Sequence, residues 1–208
     1  MTSATLSGDE TLVLPEFDAP PADPFALLAR WLADADERGV REPRAAVLAT
    51  TDGRTVSSRT ILVKDVDDGR VVFGSHTGSR KGRDLRRVPH ASLTLYWRET
   101  MQQVHLSGPV EELSPTASDA LFAARTREAR AAAVVSRQSA GLDDEDALRA
   151  AVDDLLATSD EIDRPDGWSG FALRPDHVEL WHGRSDRMHR RLAYTHGVDG
   201  WTARRLQP

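Results

Sequence analysis

Phe25, Leu28, Trp31, Leu32 and Ala35 recur at the spacing of one helix face. Asp23-Pro24 just before them pairs an N-cap with a first-turn proline, so the pattern predicts a helix over 24–38 with one face on a core. Residues 1–22 are polar and then proline-rich (Pro15, Pro20, Pro21), without a sustained period. They predict a flexible, extended arm leading into a single domain over 23–208.

From 45 to 114 the texture shortens to β-prone runs: 45–51, 55–66, 70–75, 91–98 and 102–110, several of them parted by turn signals such as Asp52-Gly53 and Asp68-Gly69. In the last run Val104 and Leu106 point one way, and Gln103, His105 and Ser107 the other. Two helices are predicted next, over 116–134 and 143–157. The second opens on Asp143, Asp144, Glu145 and Asp146, which suits the positive end of the helix dipole. Strands return at 168–173, 177–181, 188–194 and 201–206, with the last turn at Gly197–Gly200. Closely spaced strands interrupted by helices predict a mainly β, α+β fold, a small antiparallel barrel with helices outside it.

Composition narrows the function. Net charge is −6, 27 Lys and Arg against 33 Asp and Glu, which argues against a nucleic-acid partner. No stretch approaches the roughly 18 apolar residues of a membrane span, and Met1-Thr2-Ser3-Ala4-Thr5 does not open like a secretory signal. There is no cysteine, which excludes disulfides, thiolate metal sites and cysteine nucleophiles and makes the cytoplasm the expected compartment. None of the seven histidines forms a His-Glu-x-x-His pair, so no metal is expected.

Gly78-Ser79-Arg80-Lys81-Gly82-Arg83 opens a predicted helix running to about Val88, with Ser79 as N-cap. Cations are the wrong sign at a helix N-terminus. The conflict disappears if a phosphate sits there; otherwise the run, continued by Arg86 and Arg87, is a solvated basic face. Arg59 and Lys64 bracket an apolar strand on opposite faces. Either a bulge turns one of them, or they serve different groups, or the two strand ends simply reach solvent.

Together these segments resemble the pyridoxine/pyridoxamine 5′-phosphate oxidase family of FMN-binding split β-barrels, from about residue 23 to the C-terminus. The resemblance is carried by the Arg59–Lys64 strand, Gly78-Ser79-Arg80-Lys81, Gln103, Arg137-Gln138-Ser139, Trp181, Arg187-Met188-His189, Arg191 and the ending Arg205-Leu206-Gln207-Pro208. Leu14-Pro15-Glu16-Phe17, Gly39-Val40-Arg41-Glu42-Pro43-Arg44 and Leu95-Tyr96-Trp97-Arg98 look closest to its phenazine-biosynthesis branch.

The resemblance implies an antiparallel six-stranded core with peripheral helices and a homodimer with two FMN sites at its interface. Arg59, Arg80, Lys81 and Ser139 would hold the FMN phosphate and ribityl chain. Thr60, Ile61, Leu62, Val63 and Lys64, with Gly74 and Ser75, would line the flavin. Gln103, Gln138, Trp181 and Arg191 would contact the ring or its neighbourhood, some from the partner. Arg187 and His189 would face the substrate, with Lys64 and Arg125 also binding it; Arg187, His189 and Arg191 are the catalytic candidates. The implied activity is oxidation of a reduced tricyclic phenazine precursor, with oxygen as acceptor and hydrogen peroxide as product. The alternatives are oxidation of pyridoxine or pyridoxamine phosphate, and a flavin-binding module without turnover. The vitamin-processing enzymes hold their substrate phosphate with a Tyr, an Arg and a Ser; the aligned positions here are Leu121, Arg125 and Ala129, which favours a flatter, less polar substrate.

Overall fold

The computed structural model describes residues 8–208, so the first seven positions of the expected arm lie outside the described residues. The chain runs α1 (Pro24–Glu37), β1 (Ala45–Thr51), β2 (Val56–Leu62), β3 (Asp65–Asp67), β4 (Arg70–His76), α2 (Arg80–Arg87), β5 (His90–Trp97) and β6 (Gln102–Glu112). It continues through α3 (Pro115–Ala123), α4 (Arg127–Val135), α5 (Glu145–Thr158), β7 (Trp168–Leu173), β8 (His177–His182), β9 (Arg190–Gly197) and β10 (Gly200–Leu206). No helix of the described residues is long and apolar enough to cross a membrane.

Every strand pair among the described residues is antiparallel. The run expected over 55–66 is divided: β2 pairs with β1 as far as Leu62, and β3 pairs with β4 from Asp65. In the gap the Val63 N–H donates to Arg44 O at 2.9 Å and the Lys64 N–H to Val72 O at 2.8 Å. The chain thus changes partner within two residues. Counting β2 and β3 as one strand path, six paths close a ring: β1, β2/β3, β4, β7, β6, β5 and back to β1. β6 belongs to two neighbourhoods, pairing with β8 over 102–107 and with β7 over 110–112. From its first half β8, β9 and β10 extend as an apron beyond the barrel.

Alternation builds the core. In β6, Val104 and Leu106 are fully buried and Gln103, His105 and Ser107 half-buried, so the apron and the adjoining barrel wall have one apolar and one polar face. Leu48, Phe73, Leu93, Phe171 and Leu180 join one core cluster, to which α1 adds Leu27, Leu28, Trp31 and Leu32. Asp23 caps α1 by accepting from the Phe25 N–H at 2.8 Å.

Two further sequence expectations change. The arm is packed where it was expected to be flexible: Pro15–Phe17 form a 3-10 turn, and Leu14 and Phe17 are buried in the core cluster. Glu16, also buried, accepts from Arg30 at 2.8 Å and from the Trp31 ring N–H. Two apolar residues are too few to show a period, yet they bury well against α1. The helix expected over 116–134 is two helices, because Thr126 turns out of the first and caps α4 by accepting from the Ala129 N–H.

Candidate active site

Between β2, the start of α2, the α3–α4 break and the loop after α4 lies a cleft of about 960 Å3. Its basic corner is built by α2. The Ser79 hydroxyl accepts from the Gly82 N–H, as its N-cap position predicts. A Cβ at Gly82 would lie 2.4 Å from Thr77 O, so only glycine lets the helix start this close to β4. Arg80 and Lys81 then project into the cleft, joined by Arg59 from β2. The Arg80 N–H donates to Ser139 Oγ at 3.3 Å, and Lys81 Nζ donates to Gln138 Oε1 at 2.9 Å. Burial, and next the Arg59 charge, lower the Lys81 ammonium to about 8.

The rest of the cleft runs along β2, whose residues Thr60, Ile61 and Leu62 line it, and ends at Lys64. Arg59 and Lys64 reach the same cleft despite the parity of a regular strand, because Lys64 sits in the gap where the chain changes sheet partner. Gly74 forms part of the wall; a Cβ there would be 2.3 Å from the Trp168 ring. On the helical side stand Ala124, Arg125, Thr126 and Ala129. The Arg125 guanidinium lies 5.2 Å from the Trp168 ring centroid and 5.5 Å from that of Phe122, and donates to Ala129 O at 2.7 Å. Its Nε is buried without a partner, and burial lowers its pKa.

Two residues expected to line the flavin are set back. The Val63 side chain is buried in the core. Ser75 is buried behind the cleft, its hydroxyl donating to Gln138 Oε1 at 3.2 Å. Leu121 is not a lining residue either; it packs on the Phe122–Trp168 cluster, while Ala129 does face the cleft. Five cations line this cleft (Arg59, Lys64, Arg80, Lys81 and Arg125), and among the described residues none makes a salt bridge. Such an excess favours an anionic ligand.

Gln103, Trp181, Arg187, His189 and Arg191 do not line the cleft of their own chain. They form a second group on the apron and the adjoining start of β6. Gln103 lies opposite Trp181 across β6 and β8, and Trp181 opposite Arg191 across β8 and β9. The Trp181 and His189 ring centroids are 4.9 Å apart, and His189 Nδ1 accepts from the Arg184 N–H at 3.1 Å. That nitrogen is therefore unprotonated, which leaves Nε2 to carry the proton of the neutral ring. Arg191 is forked onto Glu179 at 2.7 and 2.9 Å. Arg187 has φ 66° in a short turn, and Glu10 holds that turn by accepting from the Ser185 N–H and hydroxyl at 3.0 and 3.2 Å.

Sequence reasoning missed Ser57, Ser58, Ala124 and Thr126 in the cleft wall. The last two had a signal, the Thr126-Arg127-Glu128 helix start inside a longer apolar pattern.

Barrel, basic cleft and apron define an α+β split-barrel protein whose cleft is lined by cations. The chain belongs to the pyridoxamine 5′-phosphate oxidase family and is an oxidoreductase of that family. The family model for pyridoxamine 5′-phosphate oxidase matches residues 32–159, and the pyridoxine 5′-phosphate oxidase C-terminal dimerisation region matches 168–208. Dihydrophenazinedicarboxylate synthase of Burkholderia lata is 44% identical over 206 residues, covering 98% of this chain and 97% of that protein. Pyridoxine/pyridoxamine 5′-phosphate oxidase of Gluconobacter oxydans is 40% identical, covering 90% and 95%. The crystal structure of PhzG from Burkholderia lata 383 in complex with tetrahydrophenazine-1-carboxylic acid superposes with a TM-score of 0.93 at 43% identity, covering 97% of this chain and all of that one.

Proposed function

We propose that the protein is an FMN-dependent oxidase of a reduced tricyclic phenazine-type carboxylate, working as a homodimer. The observation that carries the reading is the cleft itself, five cations without a salt-bridged carboxylate beside an uncharged strand wall. A phosphate fits the corner of Arg59, Arg80 and Lys81, and the wall of Thr60, Ile61 and Leu62 suits a flat ring. FMN held there would supply two-electron redox chemistry between substrate and oxygen, with one hydride and one proton leaving the substrate and ending in hydrogen peroxide.

The chain's own residues bind, orient and shield. Gln138 and Ser139 fix Lys81 and the start of α2. Lys64 and Arg125 offer charge to a substrate carboxylate. The partner's apron closes the cleft, with Arg187 and His189 over the substrate and Arg191 opposing negative charge that develops on the ring. Support for the phenazine substrate comes from Ala129, which offers no hydroxyl to a substrate phosphate, and from the likeness to dihydrophenazinedicarboxylate synthase.

The test is anaerobic mixing of the FMN-loaded protein with either a dihydrophenazine carboxylate or pyridoxine 5′-phosphate, following flavin absorbance. Bleaching by the first alone is expected. Rapid bleaching by the vitamin phosphate would replace this reading with the alternative, and no bleaching by either would make the protein a carrier.

A second expectation concerns pH. A phosphate dianion favours the Lys81 ammonium, so the Lys81 pKa rises from about 8 when FMN binds. Affinity is then full below pH 8 and falls as pH climbs toward the pKa in the complex, by about tenfold between pH 7 and 9. Fluorescence titration of the apoprotein measures this, and Lys81→Arg should flatten the profile. A wild-type profile already flat across that range would show that Lys81 does not meet the phosphate.

A further inference from the structure

Asp84 is a buried acidic side chain behind the basic corner, and it does not line the cleft. It lies on α2, one turn after Arg80, and is only 6% exposed. A buried carboxylate costs several kcal/mol unless its surroundings compensate it. Here the compensation is indirect. Thr50 Oγ1 from β1 and Ser57 Oγ from β2 both donate to Asp84 Oδ2, at 2.8 and 3.2 Å. Arg59 donates to the same two hydroxyls, Nη1 to Thr50 Oγ1 at 2.8 Å and Nη2 to Ser57 Oγ at 2.5 Å, and Nη1 also reaches Leu48 O at 3.2 Å.

The chemistry of these groups leaves one arrangement. A carboxylate only accepts and a guanidinium only donates, so each hydroxyl must turn its proton to Asp84 and its lone pair to Arg59. The result is a directional file from Asp84 through two hydroxyls to Arg59, crossing from α2 to both strands that back the cleft. Burial disfavours the Arg59 cation, and the Asp84 charge opposes that effect.

We infer that Asp84 is a positioning residue for phosphate recognition, holding the strand-borne Arg59 in register with the helix-borne Arg80 and Lys81. The inference rests on the reading of that corner as the FMN phosphate site. It assigns a purpose to an acidic residue placed where an anion must bind. Asp84 cannot repel the phosphate strongly, since Arg59 and a layer of hydroxyls stand between them, but it can orient the donors. Losing it frees the hydroxyls to rotate and Arg59 to swing.

The experiment compares FMN with riboflavin, which lacks the phosphate, by fluorescence quenching on apoprotein carrying Asp84→Asn, Thr50→Val, Arg59→Ala or Asp84→Asn with Arg59→Ala. Asp84→Asn is expected to weaken FMN about tenfold and leave riboflavin within about twofold. Thr50→Val, which keeps the shape and removes one link, should move FMN in the same direction. Asp84→Asn should add nothing once Arg59 is gone. Equal weakening of both ligands by Asp84→Asn would mean a merely structural role, and full additivity in the double variant would mean that Asp84 acts apart from Arg59; either overturns the inference. A silent Asp84→Asn beside a damaging Arg59→Ala overturns the inference alone. If Arg59→Ala is silent and the wild type binds both ligands alike, the phosphate reading falls as well.

Discussion

Two inactive variants of this protein, mixed as dissociated chains and allowed to re-pair, should regain about one quarter of the wild-type rate. The first is Lys81→Ala, which damages the cleft; the second combines Arg187→Ala with His189→Ala and damages the apron. If Lys81 meets the FMN phosphate as proposed, losing that charge-assisted contact costs about 1.5–3 kcal/mol, or roughly 10- to 150-fold in affinity, so the first variant is assayed at limiting FMN. The expectation follows from where the side chains stand. Trp181, Arg187, His189 and Arg191 share the apron with Gln103 beside them on β6, and the cleft of the same chain does not include them. If each working site takes its cleft from one chain and its apron from the other, a mixed dimer carries both lesions in one site and none in the other. Random pairing makes about half the dimers mixed, each half active. Recovery no greater than that of the separate variants would place the whole site in one chain and remove the apron residues from the mechanism.

The largest effect on stability is expected at Trp31. Its side chain is fully buried and tilted against Phe17 and Trp97, with centroids 6.2 and 6.3 Å away. Its ring N–H also donates to the buried Glu16 carboxylate. Trp31→Ala should cost about 3–5 kcal/mol for the lost ring and about 1–3 kcal/mol more for a buried carboxylate short of a donor. Against a total of about 5–15 kcal/mol for an ordinary domain, the variant would be barely folded. Urea unfolding of the apoprotein measures it. Trp31→Phe keeps most of the ring and should show chiefly the smaller, carboxylate part. A Trp31→Ala loss under about 1 kcal/mol would mean that the arm and α1 contribute little to the core.

The strands of the barrel were readable because their alternation reports which face is buried, as Val104 and Leu106 do against Gln103 and His105. The end of β2 was not. Val63 and Lys64 look like a continued strand, and only the hydrogen bonds to Arg44 and Val72, neighbours through folding rather than sequence, reveal the change of partner. That change answers the Arg59–Lys64 parity question without a bulge. The basic corner was readable from a local misfit, cations at a helix start, whereas Asp84 was not, since its meaning depends on hydroxyls 34 and 27 residues away. Leu14 and Phe17 were hidden by the prolines around them, which mask a short apolar pair whose partners lie on α1. The gathering of Gln138, Ser75 and Lys81 brings together side chains 57 to 63 positions apart, a distance at which periodicity carries no information.

The tight approach of Gly74 to Trp168 has a consequence for how such a cleft can change its preferences. Arg125 leans on the Trp168 ring, so a methyl group at position 74, meeting that ring at 2.3 Å, would displace the indole and carry the guanidinium with it. Volume added on the wall is thereby converted into movement of a charge in the break between α3 and α4. A lineage can therefore retune the electrostatics of this cleft through a neutral residue while every cation keeps its identity.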